Sequence, residues 1–299
     1  MKPHTWLITG ASGLIGTALT HSLLQKGATV RTLGRSDARA HPEATAFAWD
    51  LEQGLFPSAA LEDVDVVVHL AGANVGQRWT RSHKLAIMES RTKGTSLLCK
   101  ALKQMRFTGA FIQASAVGYY GECTSAVDEN GTVGQGFLAQ VAKAWEQSAA
   151  VHLPSSTRHV VMRLGIVLSP NGGTLGRLLP IYRLGLGAPL GKGSQCMSWI
   201  HVDDVVRFVQ HAATKATAHG AFNLVAPESV PNAQFSRVLA KCLGRPHFAP
   251  SVPAWALRLV LGEMATIVLA SQNVVPDKLL KEGFQWRHPE LKEALLDCI

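Results

Sequence analysis

Three glycines in the run Thr9-Gly10-Ala11-Ser12-Gly13-Leu14-Ile15-Gly16 have the spacing that most directly specifies a chemistry in this sequence. They follow a short apolar stretch at 5–9 and precede a stretch at 14–25 with helical apolar spacing. At a strand–turn–helix junction the first glycine, Gly10, permits the tight turn, and Gly13 lets backbone amides approach a diphosphate. Gly16 lets helix and strand pack closely, while the helix N-terminus adds partial positive charge. Glycines also serve plain turns, but the strand before and the helix after favour the phosphate cradle. Ser12, Leu14 and Ile15 lie within the same cradle and are candidate cofactor contacts.

The end of the next strand, 29–33, should discriminate between dinucleotides. An NAD site places an acidic residue there for the ribose 2′-hydroxyl. The sequence instead gives Arg31-Thr32-Leu33-Gly34-Arg35-Ser36. A guanidinium fork from Arg35 and the hydroxyl of Ser36 suit a 2′-phosphate, so NADP is expected over NAD, with a solvated loop arginine as the plain alternative. Asp50 and Leu51, after a third strand at 44–49, fall where an adenine contact is expected. Leu70, Ala71, Gly72 and Ala73 follow a fourth strand at 64–70, and their small side chains would let a dinucleotide lie against the backbone. Each of these two stretches alone could be turn chemistry.

The elements that must position these residues alternate. After the fourth strand come a long helix at 80–105, a strand at 110–115, a helix at 135–151 and a strand at 157–164. This pattern predicts an α/β fold, a Rossmann-type doubly wound parallel sheet. Beyond Pro170, seven glycines between 172 and 193, with Pro180 and Pro189, read as mobile loops around a ligand cleft. Helices return at 203–214, at 232–243 and through the last fifty residues. The expected organisation is a cofactor domain over 1–170, rejoined by 198–227, and a smaller, mainly helical lobe from 171–197 and 228–299.

Composition narrows the class. The 299 residues are 47% hydrophobic and 17% charged, as in an ordinary globular protein. No secretory leader is expected, and the apolar stretch 252–270 is broken by Arg258 and Glu263, so it reads as a buried helix or helix pair and not as a membrane span. Five scattered cysteines without a Cys-x-x-Cys pair fit reduced thiols in a cytoplasmic protein. The net charge of +8 is dispersed and no recognition motif accompanies it, so no nucleic-acid partner is expected. His201 with Asp203 and Asp204 has a metal-like spacing, yet acidic residues also favour the N-terminus of a helix starting near Asp203. No metal is expected.

The opening glycine run, His69-Leu70-Ala71-Gly72 and the segment Ser115 to Gly121 resemble the short-chain dehydrogenase/reductase superfamily in its extended, epimerase-like branch. More narrowly, Gly76-Gln77-Arg78-Trp79-Thr80, Glu89-Ser90-Arg91, Arg163 to Pro170, Met197 to Asp204 and Asn223 to Pro227 resemble NAD-dependent epimerase/dehydratase family proteins. Residues 250–296 resemble the small C-terminal domain of that group. The likeness spans nearly the whole chain.

This resemblance implies a tyrosine that transfers the substrate proton, a lysine four residues later, a serine that positions the substrate oxygen, and often an asparagine. Ser115 matches the serine. Aligning Lys143 as the lysine puts Ala139 at the tyrosine, while aligning Glu146 with the glutamate usual in that helix gives Leu138 and Ala142. No register yields Tyr-x-x-x-Lys, and Arg91 stands at the asparagine. Tyr119 or Tyr120 could donate a proton, although packing at the sheet edge is the plainer role for both. Arg91 could hold a substrate carboxylate or phosphate, or form a salt bridge. The Asp128-Glu129 pair suits a solvated loop. Two functions remain: an NADP(H)-dependent oxidoreductase or epimerase acting on a small metabolite, or a non-catalytic NADP-binding regulator. Monomer and homodimer are both open.

Overall fold

A computed structural model describes residues 4–37 and 41–299. The chain runs β1 (Thr5–Thr9), α1 (Leu14–Gln25), β2 (Thr29–Gly34), β3 (Thr45–Ala48), β4 (Val66–His69), α2 (Arg81–Gln104), β5 (Ala110–Ala116), β6 (Cys123–Val127), α3 (Phe137–His152), β7 (Arg158–Leu164) and β8 (Ile166–Leu168). It continues through α4 (Gly173–Arg183), β9 (Cys196–Met197), β10 (Trp199–His201), α5 (Val202–Thr214), β11 (Gly220–Leu224), β12 (Val230–Pro231), α6 (Asn232–Cys242), α7 (Ala254–Leu261), α8 (Thr266–Leu269), β13 (Gln272–Val274), α9 (Asp277–Lys281) and α10 (Leu291–Asp297). Seven strands form one parallel sheet in the order β11-β7-β5-β4-β1-β2-β3. This is the doubly wound arrangement expected from the alternating pattern. The strand order reverses between β1 and β4, and a crevice opens at such a point outside the strand C-termini.

Period-two alternation sorts the strand residues between two helical layers. Trp6, Ile8, Val66, Val68 and Ile112 pack on one face with Leu19 and Leu23 of α1 and Val205 and Phe208 of α5. Leu7, Leu33, Val67 and Phe111 pack on the other with Leu98 and Leu102 of α2. Burying each such side chain stabilises the fold by about 1.5–3 kcal/mol, which fixes the strand register. A further core joins Leu175 and Leu179 of α4, Trp199, Phe235 and Leu239 of α6, and Leu291 and Leu295 of α10. Three separate short pairings, β8 with β10, β9 with β12 and β6 with β13, lie outside the seven-stranded sheet.

Two expectations are corrected. The glycine-rich stretch after Pro170 is not all loop: α4 spans Gly173–Arg183, with Pro180 inside it. Leu175, Leu179 and Tyr182 supply a buried stripe at helical spacing, and that tertiary burial overrides the helix-breaking composition. The stretch 252–270 is helical, with only Met264 and Ala265 buried. No residue of α7 is buried, and Trp255, Leu259 and Val260 face outward. No helix among the described residues is long and apolar enough to cross a membrane.

Candidate functional site

The glycine turn folds as its spacing demands. Gly10 has φ +70°, and a Cβ on it would lie 2.9 Å from the Ala71 backbone nitrogen and from the Leu70 carbonyl carbon. The loops after β1 and β4 therefore touch backbone to backbone at the point where the strand order reverses. Gly13 caps α1 without any side-chain hydrogen bond, so the first helical amides carry no capping side chain. A Cβ on Gly16 would stand 2.3 Å from the Gly10 carbonyl oxygen, which leaves only glycine at that position.

A buried polar chain holds the second loop in place. The Ala71 amide donates to Thr9 Oγ1 at 3.2 Å. The Thr9 hydroxyl is 2.7 Å from His69 Nδ1, and His69 Nε2 is 2.9 Å from Thr95 Oγ1, which also accepts from Trp145 Nε1. Burial, with Arg91 nearby, pushes the His69 pKa down to about 3. The imidazole is therefore neutral and serves as a strut. Arg91 donates to the carbonyls of Ala73 and Ile87, and its guanidinium lies 4.8 Å from the Trp145 ring centroid. A Cβ on Gly72 would meet that guanidinium at 3.0 Å. Arg91 thus braces the Leu70–Ala73 loop through the Ala73 carbonyl, and it forms no salt bridge among the described residues. Burial lowers its pKa to about 10, so it stays charged.

Arg35 and Ser36 are exposed just beyond the end of β2. Asp50 accepts the amides of Glu52 and Gln53, closing a turn, while Leu51 packs under the β3 side of the sheet. Those contacts give Asp50 a turn-forming role in this structure.

Ser115, at the end of β5, is 2% exposed. Its hydroxyl donates to Glu146 Oε1 at 2.6 Å. Arg163 forks onto the same carboxylate, with Nε at 3.0 Å from Oε1 and Nη2 at 2.9 Å from Oε2. The other arm of Arg163 donates to the Tyr120 hydroxyl at 2.8 Å, and that hydroxyl donates to Asn223 Oδ1 at 2.7 Å. Glu129 accepts the amides of Asn223 and Lys278. The network therefore links β5, α3, β7 and β11 to the start of α9. Glu129, expected on a solvated loop, is buried because these two amides need an acceptor. Tyr120 is buried with both hydroxyl functions engaged, and burial pushes its pKa up to about 12. Tyr119 is half-buried, with the Arg163 guanidinium 3.6 Å from its ring centroid and no hydrogen bond from its hydroxyl to the described protein.

Of the two helix registers, the one anchored on Glu146 brings its residue to Ser115. Lys143, offered as the catalytic lysine, is exposed on α3 and has no hydrogen-bond or ion-pair partner among the described residues. In the Glu146 register the tyrosine and lysine positions carry Leu138 and Ala142. Leu138 packs with Trp79, Phe137, Val141 and Met264, and Ala142 is buried. An apolar wall stands where the proton-transferring pair would be.

A profile of the NAD dependent epimerase/dehydratase family matches residues 6–224, and a domain of unknown function matches 252–298. The chain belongs to the NAD dependent epimerase/dehydratase family. It is 41% identical over 291 residues to an epimerase family protein of Mycobacterium bovis, covering 96% of this chain and 95% of the relative. It is 37% identical over 302 residues to the epimerase family protein SDR39U1 of Mus musculus, covering 98% of this chain and 99% of the relative. The crystal structure of human SDR39U1 with NADPH superposes with a TM-score of 0.89 at 35% identity, covering 98% of each chain. UDP-glucose 4-epimerase of Thermotoga maritima shares the fold, with a TM-score of 0.78 at 18% identity. Sequence reading singled out Arg91, Glu146 and Arg163 but not the fork that joins Arg163 to Glu146 or the carbonyls that Arg91 serves. Arg163 and Glu146 are 17 residues apart on different elements, and no local spacing marks them as a pair.

Proposed function

We propose that the chain is an NADP(H)-dependent oxidoreductase or epimerase acting on a small metabolite. The observation that carries this reading is the backbone contact between Gly10 and the Leu70–Ala71 loop at the reversal of strand order. It is supported by the basic residue and hydroxyl, Arg35 and Ser36, just beyond the end of β2. In this reading Gly10, Ser12, Gly13, Leu14, Ile15 and Gly16 hold the diphosphate, and Leu70, Ala71, Gly72 and Ala73 form the wall beside it. Arg35 and Ser36 take the 2′-phosphate by charge-assisted hydrogen bonds. Human SDR39U1 with bound NADPH supports the choice of NADP over NAD. The nicotinamide supplies hydride transfer when bound, and the protein orients it. Ser115 meets the reacting oxygen, and Tyr119, whose hydroxyl is not committed to another side chain, is the candidate proton donor.

Thermal-shift titration tests the cofactor assignment: NADP(H) should stabilise more than NAD(H), and Arg35→Ala should close that gap. Equal stabilisation by both nucleotides in the wild type would defeat it. Catalysis is tested by following nicotinamide absorbance against a panel of carbonyl compounds, with any turnover lost in Ser115→Ala.

A second reading, a non-catalytic NADP-binding regulator, draws on the apolar wall at Leu138 and Ala142 and on the commitment of the Ser115 proton to Glu146. It gains if no compound consumes NADPH while the nucleotide still changes association with a partner.

A further inference from the structure

The end of β10 and the C-terminal segment meet in a cluster of four side chains unrelated to the cofactor crevice: His201, Asp203, His288 and Asp297. One ligand-capable atom from each lies within 4.8 Å of all the others. His201 is 1% exposed and His288 8% exposed, and the Nε2 atoms of both are buried without a hydrogen bond. A carboxylate oxygen faces each of them, Asp297 Oδ2 at 3.4 Å from His201 Nε2 and Asp203 Oδ2 at 3.8 Å from His288 Nε2. The two imidazole centroids are only 4.0 Å apart. Buried polar atoms ordinarily find partners, so two orphaned imidazole nitrogens facing two carboxylates call for an explanation.

We propose that these four residues form a structural site for a divalent transition ion, zinc by ligand type, that clamps the C-terminal segment onto the start of α5. Two imidazole nitrogens and two carboxylate oxygens are a donor set suited to tetrahedral zinc. With bonds of about 2.0–2.1 Å, tetrahedral ligand atoms stand roughly 3.3 Å apart. The observed 3.4 and 3.8 Å pairs and the 4.8 Å limit require a contraction that side-chain rotation can supply, most readily at Asp297, which is 44% exposed and gives the ion a route in.

The surroundings are built to hold the ligands. The Asp204 carboxylate accepts the amides of Arg287 and His288 at 2.6 and 3.0 Å, which fixes the backbone carrying His288. Arg287 Nη1 sits 3.0 Å from Asp203 Oδ2 and would remain as an outer partner of a ligating carboxylate. His201 Nδ1 accepts the Asp203 amide at 3.2 Å. Ligation through Nε2 moves the ring proton to Nδ1 and gives up that long bond in exchange for a metal bond. In the sequence His201, Asp203 and Asp204 show a metal-like spacing that a helix cap also explains, because the completing ligands lie more than eighty residues later.

The test uses chelator-treated full-length protein titrated with zinc chloride by calorimetry and with cobalt chloride by visible absorption. One equivalent of zinc should bind and raise the melting temperature, and cobalt should give the intense visible band of a tetrahedral site. His288→Ala and the surface variant Asp297→Asn should each weaken zinc binding at least about tenfold. The Asp297→Asn protein is judged only with a native circular-dichroism spectrum, which its exposed position favours. Absence of stoichiometric uptake by the wild type, or wild-type affinity in both variants, overturns the proposal.

Discussion

Ser115 donates its hydroxyl proton to Glu146 across 2.6 Å, so the serine at the end of β5 is held by a carboxylate that Arg163 grips from the other side. Breaking a buried pair leaves an uncompensated charge, and the Arg163 side chain is only 7% exposed. Glu146→Gln should therefore cost about 3 kcal/mol of stability, read as a lowered urea midpoint. A midpoint equal to that of the wild type would mean that the fork contributes nothing.

Gly16→Ala sets two effects against each other. In an exposed helix interior, alanine would stabilise by about 1 kcal/mol. Here the added methyl would lie 2.3 Å from the Gly10 carbonyl oxygen and 2.6 Å from Ala11 Cα, both backbone atoms that cannot swing away. The clash should win, destabilising by about 1–3 kcal/mol and weakening nucleotide binding. A raised melting temperature would show that the turn yields more readily than these distances allow.

Arg106 carries the opposite expectation. It follows the end of α2 with φ +52°, a left-handed conformation that favours glycine, and its side chain is exposed. Arg106→Gly should stabilise by about 0.5–1 kcal/mol in thermal melts. Destabilisation would point to contacts of the arginine stem that outweigh the backbone term.

Acid should unfold the protein through two histidines. Burial and then Arg91 hold the His69 pKa at about 3, while burial, opposed by Glu146, holds that of His159 at about 4. Both titrate near 6.5 once unfolded. Their stabilisation is complete above about pH 6.5 and is lost on acidification, because the unfolded chain takes up protons that the folded one refuses. The slope approaches about 1.4 kcal/mol per pH unit for each group. Urea unfolding between about pH 7 and 5 should show this fall, and His69→Gln should flatten it by about one proton. A wild-type profile flat across that window would contradict neutral burial of both rings.

Much of the fold was legible in the sequence because its signals are local. The apolar run at 5–9, the glycines at 10, 13 and 16 and the helical stripe of α1 each follow from neighbours a few residues apart. The helix in the glycine-rich stretch was missed because Leu175, Leu179 and Tyr182 find their burial against α6 and α10, distant in sequence. The Ala73 and Ile87 carbonyls that Arg91 serves were not legible, because a lone arginine in the sequence carries no sign of its backbone partners.

The sequence by itself determined a tight glycine turn at Gly10–Gly16 and a parallel α/β sheet, since each depends only on residue type and short spacing. Tertiary structure alone decided that Glu146, Arg163 and Ser115 form one unit, that Arg91 braces a loop, and that His201 faces His288. Side-chain contacts across the sheet are set by packing and topology, which bring together residues whose separation along the chain encodes no distance.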